Sequence, residues 1–341
     1  MIETLLIKSF LLSIVTFFML KLLIPNGAKL GLMDIPNNRS SHKLPIVRGA
    51  GIVFGFTFLM GIIAFYYYHL ENPLYFYTFL SLVIVYATGF YDDIYEITSR
   101  KKFIFIIIAT MIACYDGFNI TSLGNYFGYE LTLGYLSVPF TIFAIVGFTN
   151  AINLTDGLDG LAGSISVIIL SGLLYIGLLH DDYFLISLTI LSIGPLLVFL
   201  YFNWYPAKVF MGDSGSLFLG FFIALLSIYA LKYVTPSSIL FLAAIPLLDT
   251  LIVMRRRKQR KQSLFVADKN HLHHILLNFK KDKLFTVFSL LKLQVIFTLI
   301  FVQVYDKPDI VNMILFGVLF MVFFNLFDPR MNVRRKLKTK S

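Results

Sequence analysis

Five aspartates stand in three polar motifs of an otherwise apolar chain. Asp92 and Asp93 lie in Gly89-Phe-Tyr-Asp-Asp-Ile94. Asp156 and Asp159 lie in Asn150-Ala-Ile-Asn-Leu-Thr-Asp-Gly-Leu-Asp-Gly160, and Asp213 in Phe210-Met-Gly-Asp-Ser-Gly-Ser216. Crowded carboxylates raise one another's pKa unless a cation offsets them. Hard oxygen donors with few histidines suit Mg2+, with Mn2+ as the alternative, held by one or two protein groups plus substrate phosphates. Lys43, Arg48 and Lys102 are candidates to hold phosphate oxygens. The turn around Gly212 and Gly215 lets backbone N–H groups approach an anion closely. Metal, phosphate and an apolar chain together point to phosphoryl transfer between a soluble donor and a lipid acceptor.

Spacing limits how these groups share the work. Asp92 and Asp93 are neighbours, so on a helix they point about 100° apart and need not have one role. Asn150 and Asn153 fall on one helical face. Thr155-Asp156-Gly157 breaks that helix, which leaves Asp156 and Asp159 in the turn or in the first turn of the next one. His271 and His274 are likewise three apart, with His273 turned off their face if the stretch is helical. Asp249 and Asp328 stand alone and are expected to be solvated at a membrane interface.

The elements that position these groups are membrane helices. The chain has 341 residues, 58% of them hydrophobic, with a mean hydropathy of +0.80. That is too apolar for a soluble domain of this size. Runs of about 20 apolar residues recur, the length an α-helix needs to cross the hydrocarbon core. The expected fold is an all-α polytopic integral membrane protein, a single domain over 1–341 with eleven spans. They are 4–25, 47–68, 74–91, 102–117, 135–152, 160–180, 183–202, 214–232, 236–254, 285–304 and 308–328. The first carries Lys21 and is followed by no small-residue cleavage site, so it is expected to be retained. The stretch 118–134 has short alternating apolar positions and glycines that suit a surface hairpin. A single cysteine, Cys114, excludes an intramolecular disulfide and a multi-cysteine metal cluster.

Eleven spans put the termini on opposite sides. One set of loops (26–48, 91–102, 150–160, 203–213, 255–284) and the tail 329–341 hold 24 of the 29 Lys and Arg residues. Cytoplasmic loops carry the basic excess, so this side is cytoplasmic and the N-terminus outside. The net charge of +10 follows this sidedness and attraction to anionic lipid, and does not point to nucleic acid. The polar clusters fall on the same side, including Asp268-Lys-Asn-His-Leu-His-His274. A transporter concentrates polar groups near the bilayer midplane. Ionisable residues at the cytoplasmic helix ends favour a membrane enzyme, with a lipid-phosphate or nucleotide-sugar transporter, or a non-catalytic scaffold, as the other readings.

Five ordered motifs between residues 34 and 274 resemble the polyprenyl-phosphate N-acetylhexosamine-1-phosphate transferases, glycosyltransferase family 4. They are the loop with Pro45, Arg48 and Gly49; Asp92-Asp93; Asn150-x-x-Asn153-x-x-Asp156-Gly-x-Asp159-Gly; Phe210-Met-Gly-Asp213-x-Gly-Ser; and His271-Leu-His273-His274. The basic loop before the histidines, Leu272 interrupting them, and Arg48 resemble the WecA/TagO branch, which favours UDP-GlcNAc. Gly49-Ala50-Gly51 departs from the usual double glycine.

The resemblance implies transfer of N-acetylhexosamine-1-phosphate, GlcNAc-1-phosphate for that branch, from a UDP-sugar to undecaprenyl phosphate. The products are UMP and a diphosphate-linked lipid, the first membrane step of a cell-surface polysaccharide pathway in a bacterial cytoplasmic membrane. UDP-GalNAc, a deoxy-sugar or a MurNAc-pentapeptide nucleotide remain as alternative donors, and a homodimer is left open. By similarity, Asp213 and Asn153 would hold Mg2+ and Phe210 would stack on uracil. Asp156 and Asp159 would contact the nucleoside, with Asn150 beside them. Lys43, Arg48 and Lys102 would meet phosphates. Asp92 would lie near the lipid phosphate, as a base or only to position the acceptor, and Asp92, Asp93 and Asp213 are the catalytic candidates. His271, His273 and His274 would contact the sugar-phosphate end.

Overall fold

The computed structural model describes residues 2–36, 44–68, 75–259 and 271–327. Lys43, Asp328, most of the basic loop before the histidines and the basic tail lie outside the described residues. The chain is an all-α polytopic membrane protein. Among the described residues, seven helices are long and apolar enough to cross a membrane, or eight if one bent pair counts as a span. Its contacts divide it into two compact units, residues 1–123 with 132–233, and residues 124–131 with 234–341.

The first unit holds α1 (Ile2–Asn26), β1 (Met33–Asp34), β2 (Ile46–Val47), α2 (Ala50–Tyr68), α3 (Phe76–Tyr95), α4 (Ser99–Cys114), α5 (Ser137–Thr155), α6 (Leu161–Leu179), α7 (Tyr183–Asn203) and α8 (Gly212–Ala230). Each helix coincides within a few residues with an apolar run, because a backbone in hydrocarbon satisfies its own polar groups only as a helix. Helix α8 is the centre, and α2, α3, α5 and α6 pack on it. Two glycines permit the closest approaches. A Cβ on Gly51 of α2 would fall 1.9 Å from the Gly215 nitrogen, and one on Gly89 of α3 would fall 2.5 Å from the Ser214 Cα. Small residues at such crossings replace the hydrophobic drive that lipid removes. Further out, Ser9 donates to the Ile190 carbonyl at 2.7 Å, and Thr16 to Thr57 Oγ1 at 3.0 Å.

The loops over the site are zipped together. β1 pairs antiparallel with β2. Phe210 N–H donates to the Val47 carbonyl at 2.7 Å, and Ala50 and Gly51 donate to the carbonyls of Phe210 and Met211. The first loop therefore holds the segment that leads into α8. The expected hairpin is present as β3 (Ser122–Tyr126) and β4 (Tyr129–Thr132), turned by Phe127 and Gly128 at positive φ.

The second unit holds a 3-10 turn, Pro236–Ser238, followed by α9 (Ile239–Leu242), α10 (Ala244–Gln259), α11 (Leu272–Lys280), α12 (Lys283–Val304) and α13 (Asp309–Leu326). The run 236–254, expected as one span, is bent by 91° between α9 and α10. Pro246 has no N–H for the Leu242 carbonyl four residues earlier. The buried Gln294 of α12 repairs the break. Its Nε2 donates to the Leu242 carbonyl at 2.8 Å, and its Oε1 accepts from Ile245 N–H at 3.2 Å. Asp309 accepts from the N–H groups of Asn125 and Ser237, which ties the outer part of the hairpin to this unit.

Candidate functional site

At the C-terminal end of α3, Asp92 is bound at both oxygens. Oδ1 accepts from Ile97 N–H at 2.9 Å, and Oδ2 lies 2.6 Å from Lys102 Nζ in the first turns of α4. The same ammonium also pairs with Asp213 Oδ2 at the start of α8. Asp213 Oδ1 accepts from Asn153 Nδ2 at 2.7 Å, and that amide also donates to Ser216 Oγ at 2.7 Å. Four helices thus bring Asp92, Lys102, Asn153 and Asp213 to one point, and Lys102 bridges two carboxylates.

Asp93 turns the other way. Its Oδ1 accepts from Asp213 N–H at 2.8 Å and its Oδ2 from Ser214 N–H at 3.1 Å. Those are orphan donors at the N-terminus of α8, where a carboxylate also meets the positive end of the helix dipole. Gly212 has φ +73°, and a Cβ there would fall 2.6 Å from Asp93 Oδ2. Only a glycine allows Asp93 to sit on the helix start, and Asp93 in turn fixes where Asp213 projects.

Asp156 follows α5 and Asp159 precedes α6. Burial, reinforced by the charges of Asp213, Asp93 and Asp159, pushes the Asp156 carboxyl up to about 7. Asp159 is buried, and its Oδ2 accepts a long 3.4 Å contact from Ala207 N–H. The turn between them is held by Asn203, which accepts from Gly160 N–H and donates to the Val209 carbonyl. Asn150 lies one turn before Asn153 on α5. Phe210 is half-buried, its backbone fixed by the first loop. Arg48, expected on phosphate, donates to Glu96 Oε1 at 2.9 Å.

The histidine motif lies in the second unit. Helix α11 begins at Leu272, so His271 precedes it with extended backbone (ψ 155°). For that reason His273 is not turned away from His271 as helical spacing predicted. The two rings are nearly parallel with centroids 5.8 Å apart, and His273 and His274 are 4.2 Å apart. Burial pushes the His273 imidazole down to about 3 against the opposing charge of Asp249, so it is neutral. Asp249 corrects the expectation of a solvated interfacial carboxylate. It is 5% exposed, accepts from Leu272 N–H at 2.7 Å and lies 3.0 Å from His271 Nδ1. Its isolation in the sequence hid it, although an ionisable residue inside an apolar helix is costly and was itself a signal.

The donor set of the first unit suits a divalent cation. Lys102 already places one positive charge between Asp92 and Asp213, and the Asn153 amide could turn over to offer its oxygen. Among the described residues no group of three or more His, Cys, Asp or Glu side chains forms a ready cage. Two carboxylates completed by substrate oxygens is the usual Mg2+ arrangement.

Fold and site together define a polytopic membrane protein with two carboxylates, a shared lysine and an asparagine gathered at the ends of four helices. The glycosyl transferase family 4 model matches residues 75–231, the stretch that carries all five aspartates, and the chain belongs to that family. A Bacillus subtilis (strain 168) relative, named a probable undecaprenyl-phosphate N-acetylglucosaminyl 1-phosphate transferase, is 36% identical over 283 residues, 80% of this chain and 77% of its own. Relatives from Escherichia coli (strain K12) and Yersinia pestis, named undecaprenyl-phosphate alpha-N-acetylglucosaminyl 1-phosphate transferases, are each 30% identical over 73% of this chain and 70% of their own.

Proposed function

We propose that this chain transfers GlcNAc-1-phosphate from UDP-GlcNAc to undecaprenyl phosphate, releasing UMP and forming undecaprenyl-diphospho-GlcNAc. The observation that carries the reading is the Lys102 ammonium shared by Asp92 and Asp213. The names of the relatives supply the acceptor and the transferred group.

The lipid phosphate attacks the β-phosphorus of UDP-GlcNAc, and the bond from that phosphorus to the UMP oxygen breaks. A phosphate monoester has a second pKa near 6 and is largely a dianion at neutral pH, so the attack needs little help from a base. Catalysis then rests on positioning and on balancing charge. Asp213 and Asp92, with Asn153, would hold Mg2+, which when bound neutralises charge on the diphosphate and on the leaving UMP. Lys102 exchanges carboxylate for phosphate as substrate enters. Asp92 positions the acceptor. Asp93 keeps the first turn of α8 in place. Asp156 and Asp159 contact the nucleoside, and Phe210 stacks on the base.

The topology proposed with this function has eleven crossings of a bacterial cytoplasmic membrane, the N-terminus outside and the site facing the cytoplasm. The asymmetry of Lys and Arg supports it, as does a helical segment at each of the eleven apolar runs. The test of function is purified protein with undecaprenyl phosphate, Mg2+ and a panel of UDP-sugars. UMP release with UDP-GlcNAc supports the reading, and silence with every sugar overturns it.

A further inference from the structure

Asp249 is a carboxylate in an apolar segment of α10 with both oxygens committed. Oδ1 accepts from Leu272 N–H, the first N–H of α11, at 2.7 Å. A helix start leaves such donors without partners, and an acceptor with a full charge suits them. Anchoring that helix uses one oxygen only. The other lies 3.0 Å from His271 Nδ1. Both residues are 5% exposed. His271 is the N-cap residue of α11, yet its side chain makes no capping bond to its own helix. Its ring orientation is therefore set by Asp249 and by the neighbouring ring of His273, which is neutral.

The geometry points to Asp249 as a positioning residue that holds His271 in the tautomer protonated on Nδ1. A carboxylate can only accept, so the proton of a neutral His271 must reside on the nitrogen facing it. Nε2 is then the nitrogen that offers its lone pair to substrate. This rests on the transferase reading, in which the histidine motif works at the sugar phosphate. A purely structural anchor does not distinguish the two ring nitrogens, whereas this arrangement does. Asparagine at 249 would keep its oxygen on Leu272 N–H and present an NH2 group to His271. Nδ1 would have to become the acceptor, and the proton would move to Nε2. The fold survives and the tautomer reverses.

The test uses the full chain in detergent or lipid discs. Side-chain 15N NMR of histidine-labelled protein, with the His271 signal assigned by its loss in His271→Gln, reports the tautomer without reference to activity. The wild type should show protonated Nδ1, and Asp249→Asn protonated Nε2. In UMP-release assays Asp249→Asn should lower kcat about 10- to 100-fold, the range for loss of a group that orients a working imidazole, with the KM for UDP-GlcNAc within about twofold. Asp249→Glu, which keeps two acceptors, should recover part of kcat. In a His271→Gln background, Asp249→Asn should cost less than about twofold, because residues acting through one another are not additive. Protonated Nε2 in the wild type overturns the inference even if the Asn variant fails to fold. Full kcat in Asp249→Asn, or independent multiplication of the two losses, overturns it as well. A wild type that releases no UMP fails the transferase reading instead and leaves the tautomer measurement standing.

Discussion

The acidic cluster of the first unit and the Asp249–His271 pair of the second are both carboxylates buried near a group that can carry positive charge, and they are built in opposite ways. In the first, Asp92 and Asp213 share one ammonium, with the carboxyl groups of Asp93 and Asp156 close by. Charge there is out of balance, and the Asp213 side chain keeps 26% of its surface open. In the second, one carboxylate is matched by one N–H and one imidazole, with both side chains 6% exposed. An unbalanced cluster gains from an incoming cation and rearranges when an anion claims its lysine. A balanced pair has nothing to exchange and can only aim a ring. The difference separates a part that binds and releases charge from one that holds direction.

The largest effect should come from removing the carboxylate at the centre of the unbalanced cluster. Asp213→Ala is expected to cut the rate of UMP release about 1,000-fold, the upper range for losing a preorganised group that balances transition-state charge. Added Mg2+ should not restore it. A rate within tenfold of wild type would put the cation elsewhere.

Lys102→Met sharpens the contrast. Without the ammonium, Asp92 and Asp213 face each other unneutralised. A Mg2+ titration of activity should reach half-saturation at lower Mg2+, while maximal turnover falls about 100-fold for want of the phosphate contact. The same titration on Asp249→Asn should leave the midpoint where it was. Equal shifts in both would erase the distinction between an exchangeable and a fixed pair.

Asp156 gives a smaller, pH-linked effect. With its carboxyl pushed up to about 7, its charge appears as pH climbs through neutrality. An ionised Asp156 repels an incoming diphosphate, so the wild-type KM for UDP-GlcNAc should rise over that interval. Asp156→Asn has no charge to gain. Its KM profile should be flat, and about tenfold above wild type on the acid side because a nucleoside contact is weakened. A sloping profile in the variant would assign the titration to another group.

The smallest effect is expected at Asp93. Asp93→Asn keeps one acceptor for the start of α8 and loses the other, at a cost of about 1 kcal/mol. A thermal melt in detergent should show a fall of a few degrees, with turnover reduced far less than in Asp213→Ala. Loss of activity as deep as that of Asp213→Ala, in a variant that melts normally, would move Asp93 from support into the chemistry.

Much of this could be read along the chain, and what could not has physical causes. Apolar runs of bilayer length mark helices because hydrocarbon leaves the backbone no other option. The 91° bend escaped that reading because Gln294, which makes the break tolerable, lies 48 residues beyond Pro246, although the proline itself was visible. Clustering picked out Asp92, Asp93, Asp156, Asp159 and Asp213 as candidates. The 100° between Asp92 and Asp93 told of two directions, but not which one meets Lys102 and which the start of α8. Arg48 on Glu96 and Asp249 on His271 depend on contacts between distant segments. Glu96 stands near the Asp92-Asp93 pair and Asp249 inside an apolar run, but their partners lie 48 and 22 residues away, so the sequence marked the residues and not the pairings.

The most direct test of the account is UMP release by the purified chain from UDP-GlcNAc and Mg2+, with and without undecaprenyl phosphate. The account predicts UMP formed one for one with lipid-linked diphospho-GlcNAc, no release without the lipid, and loss of both products in Asp213→Ala. UMP formed without the lipid acceptor, or unchanged turnover in Asp213→Ala, would contradict it.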